Sequence, residues 1–503
     1  MRSVQTARHR QVSGQRTDDR PVKTNTLYVG DCLDRMREWP DGCVDLIYLD
    51  PPFKSDAKYN ILFGKSKDKS KKDDLAQMTA FDDTWEWNTD AEERVDDINS
   101  DIAHPAHYAI KGFDALFDGG NGMLAYLSYM AERLAEMKRI LRSTGSIFLH
   151  CDPAASHYLK IVMDEVFGRK NFRNEIIWCY HGPGSPKMRQ FNRKTDSIFW
   201  YSKSGTWKFN KDDVRIPYKD PNQTLRRAMS TTDSFTEEQA EENRQRGKVP
   251  ENWWEIRIAA RSRTEYLGYP TQKPIALLER IIKAASDNGD VVLDPFCGCG
   301  TTIHAAINLK RKWAGIDISY YAIEVIRRDR LKDITIELDG VPTDLRAAEA
   351  FARKDPFEFE KWAVSRIHGL APNTVQRGDG GIDGRGLILY AEKKDNLCIA
   401  QVKSGAPSVD ALRAFQGNIV GGRAAVCLFI TLRKKNETPT MKKLIAQSGY
   451  IEINHRKFHR FVVWSVEEFF NGVEPRIPYL AHPRTRAPLQ EDILNPQNRL
   501  PAG

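Results

Sequence analysis

Two apolar runs, each closed by an aspartate, set the strongest limit on how this chain can fold. Val44 to Leu49 leads into Asp50-Pro51-Pro52-Phe53. Val291 to Leu293 leads into Asp294-Pro295-Phe296-Cys297-Gly298-Cys299-Gly300-Thr301-Thr302. Short, continuous apolar runs of this kind read as strands buried on both faces, as in a parallel sheet covered by helices. Both aspartates then stand at the carboxyl end of a strand in an open α/β sheet. That edge is where such sheets bind ligands.

The length of 503 residues suggests roughly three domains at about 150 residues each. Apolar content is 41%, enough for sizeable cores, and the net charge of +8 is compatible with nucleic acid without requiring it. No N-terminal apolar segment or bilayer-length run is present, so no membrane association is expected. The eight cysteines are scattered, several inside strand-like stretches, and read as reduced thiols in a cytosolic protein. Cys297-Gly298-Cys299 lacks a second Cys/His pair at ligand spacing, so loop geometry accounts for it better than a metal.

Residues 1–24 read as a disordered basic arm, free in solvent or touching phosphates. Residues 25–335 form the first large unit. Within it, Met123 to Leu141 is an amphipathic helix, with Leu127, Met130, Leu134, Met137 and Leu141 on one face. Ser146 to His150 reads as a strand. Lys65 to Asp74 is a charged loop near the first aspartate. Residues 181–268 lose the α/β rhythm and carry scattered arginines, among them Arg226, Arg227, Arg257 and Arg261, with Trp207, Trp253 and Trp254. Residues 336–355 are a linker, 356–470 a second unit, and 471–503 a Pro/Arg-rich tail.

Asp50 and the Pro51 carbonyl offer two acceptors that can face the two hydrogens of an exocyclic amine. Such an amine is a poor nucleophile because its lone pair is delocalised into the base, and two acceptors draw it towards tetrahedral geometry. Pro51 and Pro52 stiffen the turn and remove competing N–H groups. Phe53 offers a face on which an extruded base can stack. Alone, the segment is equally a rigid strand-to-loop turn.

The second segment is more specific. Gly298 and Gly300 permit a tight turn and close approach of backbone to a ligand. Thr301 opens a helix running to about Arg311, and a strand from Trp313 to Ile316 ends at Asp317. Asp317 follows Asp294 by 317 − 294 = 23 residues, near the roughly 20 expected for an acid on ribose hydroxyls. A dinucleotide is the generic rival. Asp294 would repel a pyrophosphate, whereas it suits a sulfonium ligand carrying an amino group.

With Gly30-Asp31, Tyr269-Pro270-Thr271-Gln272-Lys273-Pro274 and the stretch from Glu165 through Trp178, these segments match in order. Residues 25–335 resemble a β-class DNA amino-methyltransferase. The resemblance implies a Rossmann-like sheet dependent on S-adenosylmethionine and a target-recognition region at 181–268. It also implies a cofactor site of Asp31, Lys273, Asp294, Phe296, Gly298, Gly300, Thr301 and Asp317. Lys273 would pair with the cofactor carboxylate. Asp before Pro-Pro usually accompanies N6-adenine in that family, Ser there N4-cytosine. Phe53 replaces the commoner Tyr.

Residues 356–470 hold a second constellation. Phe357 to Ile367 reads as a helix carrying Glu360. A Gly-rich turn, Gly378 to Gly384 with Asp383, leads to a strand at Leu387 to Tyr390. Lys393 to Asn396 reads as a hairpin turn. Leu397 to Val402 is the next strand, with Gln401 and Lys403 facing one way. Asp383 and Glu360 can hold Mg²⁺ through oxygen, and Lys403 can orient water and stabilise charge at phosphate. A solvated β-hairpin is the plainer alternative. The pattern resembles the Mrr-like branch of the PD-(D/E)xK nucleases, a smaller α/β restriction-endonuclease-like domain. By that resemblance Asp383, Gln401 and Lys403 form its core.

Three readings of the whole chain follow. The first is a single-chain restriction–modification enzyme acting on double-stranded DNA. The second is a methyltransferase whose C-terminal unit only binds DNA. The third is a methyl-dependent nuclease. A homodimer is compatible with each. No Walker-type loop is present, so a separate restriction or translocase subunit would have to supply any ATP-driven movement.

Overall fold

The computed structural model describes residues 22–52, 58–62, 77–82, 85–182, 189–219, 237–259, 265–267, 269, 272–373, 381–389, 391, 396–405, 408–434 and 438–481. Phe53, the Lys65–Asp74 run, most of the arm and most of the tail lie outside these residues.

Nine strands make the larger sheet. They are β1 (Thr26–Val29), β2 (Val44–Leu49), β3 (Leu141–Cys151), β4 (Phe172–Cys179), β5 (Thr195–Ser202), β6 (Trp253–Glu255), β7 (Val291–Asp294), β8 (Lys312–Asp317) and β9 (Glu337–Asp339). Their spatial order is β9-β1-β8-β7-β2-β3-β5-β4-β6. The first six are parallel, and β5 runs antiparallel to both β3 and β4. All six residues of β2 are buried. Leu46 and Tyr48 enter one core, Ile47 and Leu49 the other. Helices therefore cover both faces, which is why Leu46 to Leu49 are apolar without a break instead of alternating. The helix Gly122–Ile140 lies on one side. Asn121 caps it by accepting from Leu124 N at 2.9 Å. Helices Ile275–Ala285 and Thr301–Asn308 cover the other side.

Two expectations shift. Leu141 begins a strand instead of ending a helix, because it pairs with Val44 ahead of a register shift in β2. The region 181–268 also contributes β5 and β6 to the sheet. The run Ser197-Ile198-Phe199-Trp200-Tyr201 lies between β3 and β4, with Ile198 to Tyr201 buried.

The second unit is a five-stranded sheet, β10 (Ala371–Pro372), β11 (Gly384–Leu387), β12 (Leu397–Lys403), β13 (Val426–Thr431) and β14 (Phe461–Ser465), in that order. The first two pairings are antiparallel and the last two parallel. β11 lies earlier than the Leu387–Tyr390 expected. Its glycines hide it: a Cβ at Gly384 would come 2.5 Å from Val364, and one at Gly386 2.7 Å from the Gly369 carbonyl. Helix Pro356–Ser365, with Pro at its first turn and capped by Asp355, packs Phe359, Trp362, Ala363 and Val364 inward. These side chains share one apolar cluster with Ile323 and Ile326 of the first unit, so the two units meet through a common core.

Candidate active site

β2 and β7 are neighbours, with Leu46 opposite Val292 and Ile47 opposite Leu293. Asp50 and Asp294 consequently arrive at the same sheet edge. Lys273, just ahead of the helix Ile275–Ala285, places its Nζ 2.5 Å from Asp50 Oδ2. The lysine side chain is 8% exposed and the aspartate 18%. The other carboxylate oxygen, Oδ1, is buried with no hydrogen-bond partner among the described residues. Pro51 is buried and Pro52 half-buried, which fixes the turn. Lys273 was expected to meet a ligand carboxylate. It touches Asp50, and an ammonium with three donors can hold both.

The turn after β7 is built as its glycines suggested. Cys297 N donates to Ile316 O at 3.0 Å and Gly300 N to Cys297 O at 2.7 Å. Gly298 and Gly300 have φ of 49° and 74°, a region where a Cβ is strained. A Cβ at Gly300 would also strike Ile326 at 2.8 Å, and one at Gly298 would stand 3.5 Å from the Tyr269 ring. Phe296 is half-buried, while Thr301 and Thr302 are buried at the helix start.

Asp294 is wholly enclosed. Burial raises its carboxyl to about 7, against hydrogen bonds from the Thr302 side chain and Phe296 N, with Asp50 and Asp317 pushing it higher. Asp317 ends β8 and accepts from Ser319 N and Gly298 N, each at 2.8 Å. Burial lifts its carboxyl to about 6 despite those two bonds. Two carboxyls raised this way, one buried and one half-buried, beside a turn whose Gly298 and Gly300 disfavour a side chain, fit a small cationic ligand with hydroxyls. Asp31 reaches the same edge after β1. Its Oδ1 caps helix Cys32–Arg37 through Leu33 N at 2.7 Å, and its Oδ2 meets Arg133 at 2.5 Å.

Sequence reasoning missed a buried chain behind Asp50. The Tyr48 hydroxyl lies 2.8 Å from His150 Nδ1, and His150 Nε2 lies 3.1 Å from Asp196 Oδ2. The signal was present: Tyr48 shares the parity of Asp50 on one strand, and His150 sits near the end of the next. Asp196 stays below its usual range although burial pushes it up, because His150, Lys273 and Tyr180 favour its charge.

In the second unit Asp383 Oδ2 accepts from Val402 N at 2.7 Å, and Asp383 N donates to Ala400 O at 2.8 Å. Asp383 is thereby brought to the strand carrying Gln401 and Lys403. Gln401 is half-buried and Lys403 exposed, on the same face. Glu360 is half-buried on helix Pro356–Ser365. Among the described residues, no three His, Cys, Asp or Glu side chains form a metal-sized cluster. No described helix is long and apolar enough to cross a membrane.

A parallel sheet with a reversed strand at β5, and a Gly-rich turn at the carboxyl ends of its strands, are the features of an open α/β fold with a ligand edge. The DNA methylase family model matches residues 44–328, more than half of the chain, and the chain belongs to that family. It is 32% identical to the DNA adenine methyltransferase YhdJ of Escherichia coli over 219 residues, 43% of this chain and 71% of that protein. It is 29% identical to the type II methyltransferase M.EcaI of Enterobacter cloacae over 262 residues, 41% of this chain and only 57% of that relative's length. Among solved structures, the PvuII cytosine-N4-specific DNA methyltransferase aligns with a TM-score of 0.38 at 15% identity, covering 63% of this chain and 97% of that one.

Proposed function

We propose that this chain methylates the N6 amine of adenine in double-stranded DNA, with S-adenosylmethionine as donor. The observation that carries the reading is Asp50. One carboxylate oxygen is held by Lys273 and the other is buried without a partner. A buried unsatisfied acceptor costs about 1–3 kcal/mol, a cost that an incoming amine N–H relieves. The bound donor supplies a methyl group on a sulfonium. Asp294 and Asp317 bind its charged and hydroxyl-bearing parts, and Lys273 its carboxylate. Asp50 Oδ1 takes one amine hydrogen and the Pro51 carbonyl the other, which turns the nitrogen lone pair out of the ring. When bound, the donor would supply the methyl carbon and its sulfur would keep the bonding electron pair, while Asp50 stands to receive the amine proton. Asp in the first position of the Pro-Pro segment favours adenine over cytosine.

Labelled methyl incorporation into a plasmid, followed by digestion to nucleosides, tests this. Label in N6-methyladenine is expected. Label in N4-methylcytosine overturns the base assignment, and no label overturns the activity.

A second reading concerns residues 356–470. An Mg²⁺-dependent endonuclease, which would make the chain a restriction–modification enzyme, is supported by the Asp383 carboxylate held against the strand of Gln401 and Lys403. Asp383 and Glu360 would hold the ion, and Lys403 would stabilise charge at the phosphate. Incubation of unmodified and self-methylated plasmid with Mg²⁺ tests it. Cutting of only the unmodified DNA is expected. Cutting of neither leaves a C-terminal unit that only binds DNA.

A further inference from the structure

The buried chain of Tyr48, His150 and Asp196 lies across Asp50 from the acids of the Gly-rich edge. In the strand order β8-β7-β2-β3-β5, Asp317 and Asp294 end β8 and β7, while His150 and Asp196 belong to β3 and β5. Leu49 of β2 pairs in parallel with Leu149 of β3, so the next step of the register sets His150 beside Asp50. Tyr48 stands two residues before Asp50, on the same face of β2. Helix Ile275–Ala285 covers that face, and Lys273 reaches Asp50 from just ahead of the same helix.

His150 is wholly buried, and both its nitrogens are engaged. Nδ1 lies 2.8 Å from the Tyr48 hydroxyl, and Nε2 lies 3.1 Å from Asp196 Oδ2. Asp196 Oδ1 accepts from the Tyr180 hydroxyl at 3.3 Å, so both oxygens of that carboxylate are held. An ionised carboxylate only accepts, so Nε2 carries the hydrogen of its bond and Nδ1 is left to meet Tyr48. Burial pushes the Tyr48 hydroxyl well above its usual value, so it stays protonated and can donate there. The Tyr48 and Trp178 rings stand edge-on to the imidazole, with centres 6.2 and 5.6 Å away. The phenol oxygen is thus anchored through two further strands, two residues ahead of Asp50.

We infer that His150 is a positioning residue for methyl transfer: by holding the Tyr48 hydroxyl it fixes the end of β2, and with it the aim of the Asp50 carboxylate and the Pro51 carbonyl at the amine. The inference rests on the methyltransferase reading above and adds to it two residues that act through the backbone from Tyr48 to Pro51. Neither touches donor or base in this role. The effect is therefore on the rate of the bound complex, because a misplacement of about 1 Å at reacting groups costs about a hundredfold. Donor affinity is set on the other side of Asp50, at β7 and β8.

Steady-state methylation of plasmid DNA by the full chain tests this, with calorimetric titration of S-adenosylhomocysteine as a check on the donor site. An asparagine amide can stand near the place of Nδ1, and a glutamine amide near that of Nε2. His150→Asn therefore keeps a partner for Tyr48, and His150→Gln keeps one for Asp196. His150→Gln should lower kcat by about ten- to a hundredfold, with both KM values and S-adenosylhomocysteine affinity little changed. His150→Asn should recover most of kcat. Tyr48→Phe, which deletes a single oxygen, should match His150→Gln and makes the same comparison if that variant fails to fold. The two changes together should be little worse than either alone, since they remove one bond. Equal kcat losses in the Asn and Gln variants overturn the role, because they mark lost imidazole packing. Native kcat in Tyr48→Phe overturns it too, as does donor binding that weakens in step with kcat. A native chain that transfers no methyl group overturns the activity itself, and this role with it.

Discussion

The two units spend their carboxylates differently. At the edge of the large sheet Asp294 is buried and Asp50 and Asp317 are half-buried, and Asp294 and Asp317 are held above the usual carboxylate range by burial. At the edge of the small sheet Asp383 is tied to a main-chain N–H beside a neutral amide, Gln401, and an exposed lysine, Lys403. A buried carboxyl carries a desolvation cost until a cation or a hydrogen-bond donor offsets it. The second edge is open to solvent at Lys403 and tied to the main chain at Asp383. The difference teaches that burial dominates the first edge and main-chain hydrogen bonding the second, and the proposed roles of the two can be separated by testing each edge in turn.

The sharpest break comes from crossing the two sites. Asp50→Ala should lower methyl incorporation by about a thousandfold, on the scale of removing one preorganised catalytic group, and leave donor binding nearly intact. Asp383→Ala should leave incorporation untouched and remove cutting. Labelled incorporation and plasmid nicking read both. Retained transfer in Asp50→Ala would sink the catalytic assignment, and a loss of methylation in Asp383→Ala would show that the edges are not separable.

Lys273→Met comes next. Removing one partner of a buried ion pair costs about 3–5 kcal/mol, so the melting temperature should fall and incorporation should drop about a hundredfold. Lys273→Arg, which keeps the charge, should recover part of both. A Met variant that melts normally would mean that Asp50 does not depend on Lys273.

That ion pair also marks where sequence reasoning stops. The largely apolar run exposed β2, and the Gly-rich turn exposed the edge that carries Asp294 and Asp317, because both are local patterns. Asp50 and Lys273 are 223 residues apart. Motif order drew attention to each, yet only the sheet brings Nζ onto the carboxylate. The Tyr48–His150–Asp196 chain was hidden for the same reason, since its members come from three strands that are neighbours in space alone. β5 was obscured by the polar, Arg-bearing flanks around a run of five residues. β11 was obscured because glycine, which close packing against Val364 and Gly369 demands, weakens the strand signal.

Asp294→Asn tests the cost of enclosure. In the unfolded chain this carboxyl titrates at 3.8 and in the folded chain at about 7. Between those values the folded state keeps a proton that the unfolded state has released, so stability falls as pH rises through the window and stays reduced above it. The amide carries no such penalty. Asn should therefore raise the melting temperature by a few degrees at pH 8 and change it little at pH 4, while weakening S-adenosylmethionine binding. Equal shifts at both pH values would mean that the gain is packing and that Asp294 pays no burial cost.

The smallest expected effect decides how real the contrast is at the second edge. A Cβ on Gly381 would fall 2.5 Å from Gln401 Nε2, so the amide packs closely over that turn, next to the strand position of Lys403. Glutamate has the same shape, so Gln401→Glu should fold as the native chain does. If Gln401 faces the ion, a second charge beside Asp383 should tighten it, because affinity for hard divalent cations grows with the number of carboxylates. The Mg²⁺ concentration for half-maximal cutting should then fall severalfold, with the rate at saturating Mg²⁺ little changed. If that concentration does not move, Gln401 serves the Gly381 turn instead of the metal. Asp383 would then be a structural tie to Val402, and the second edge would be a surface that holds DNA without cutting it.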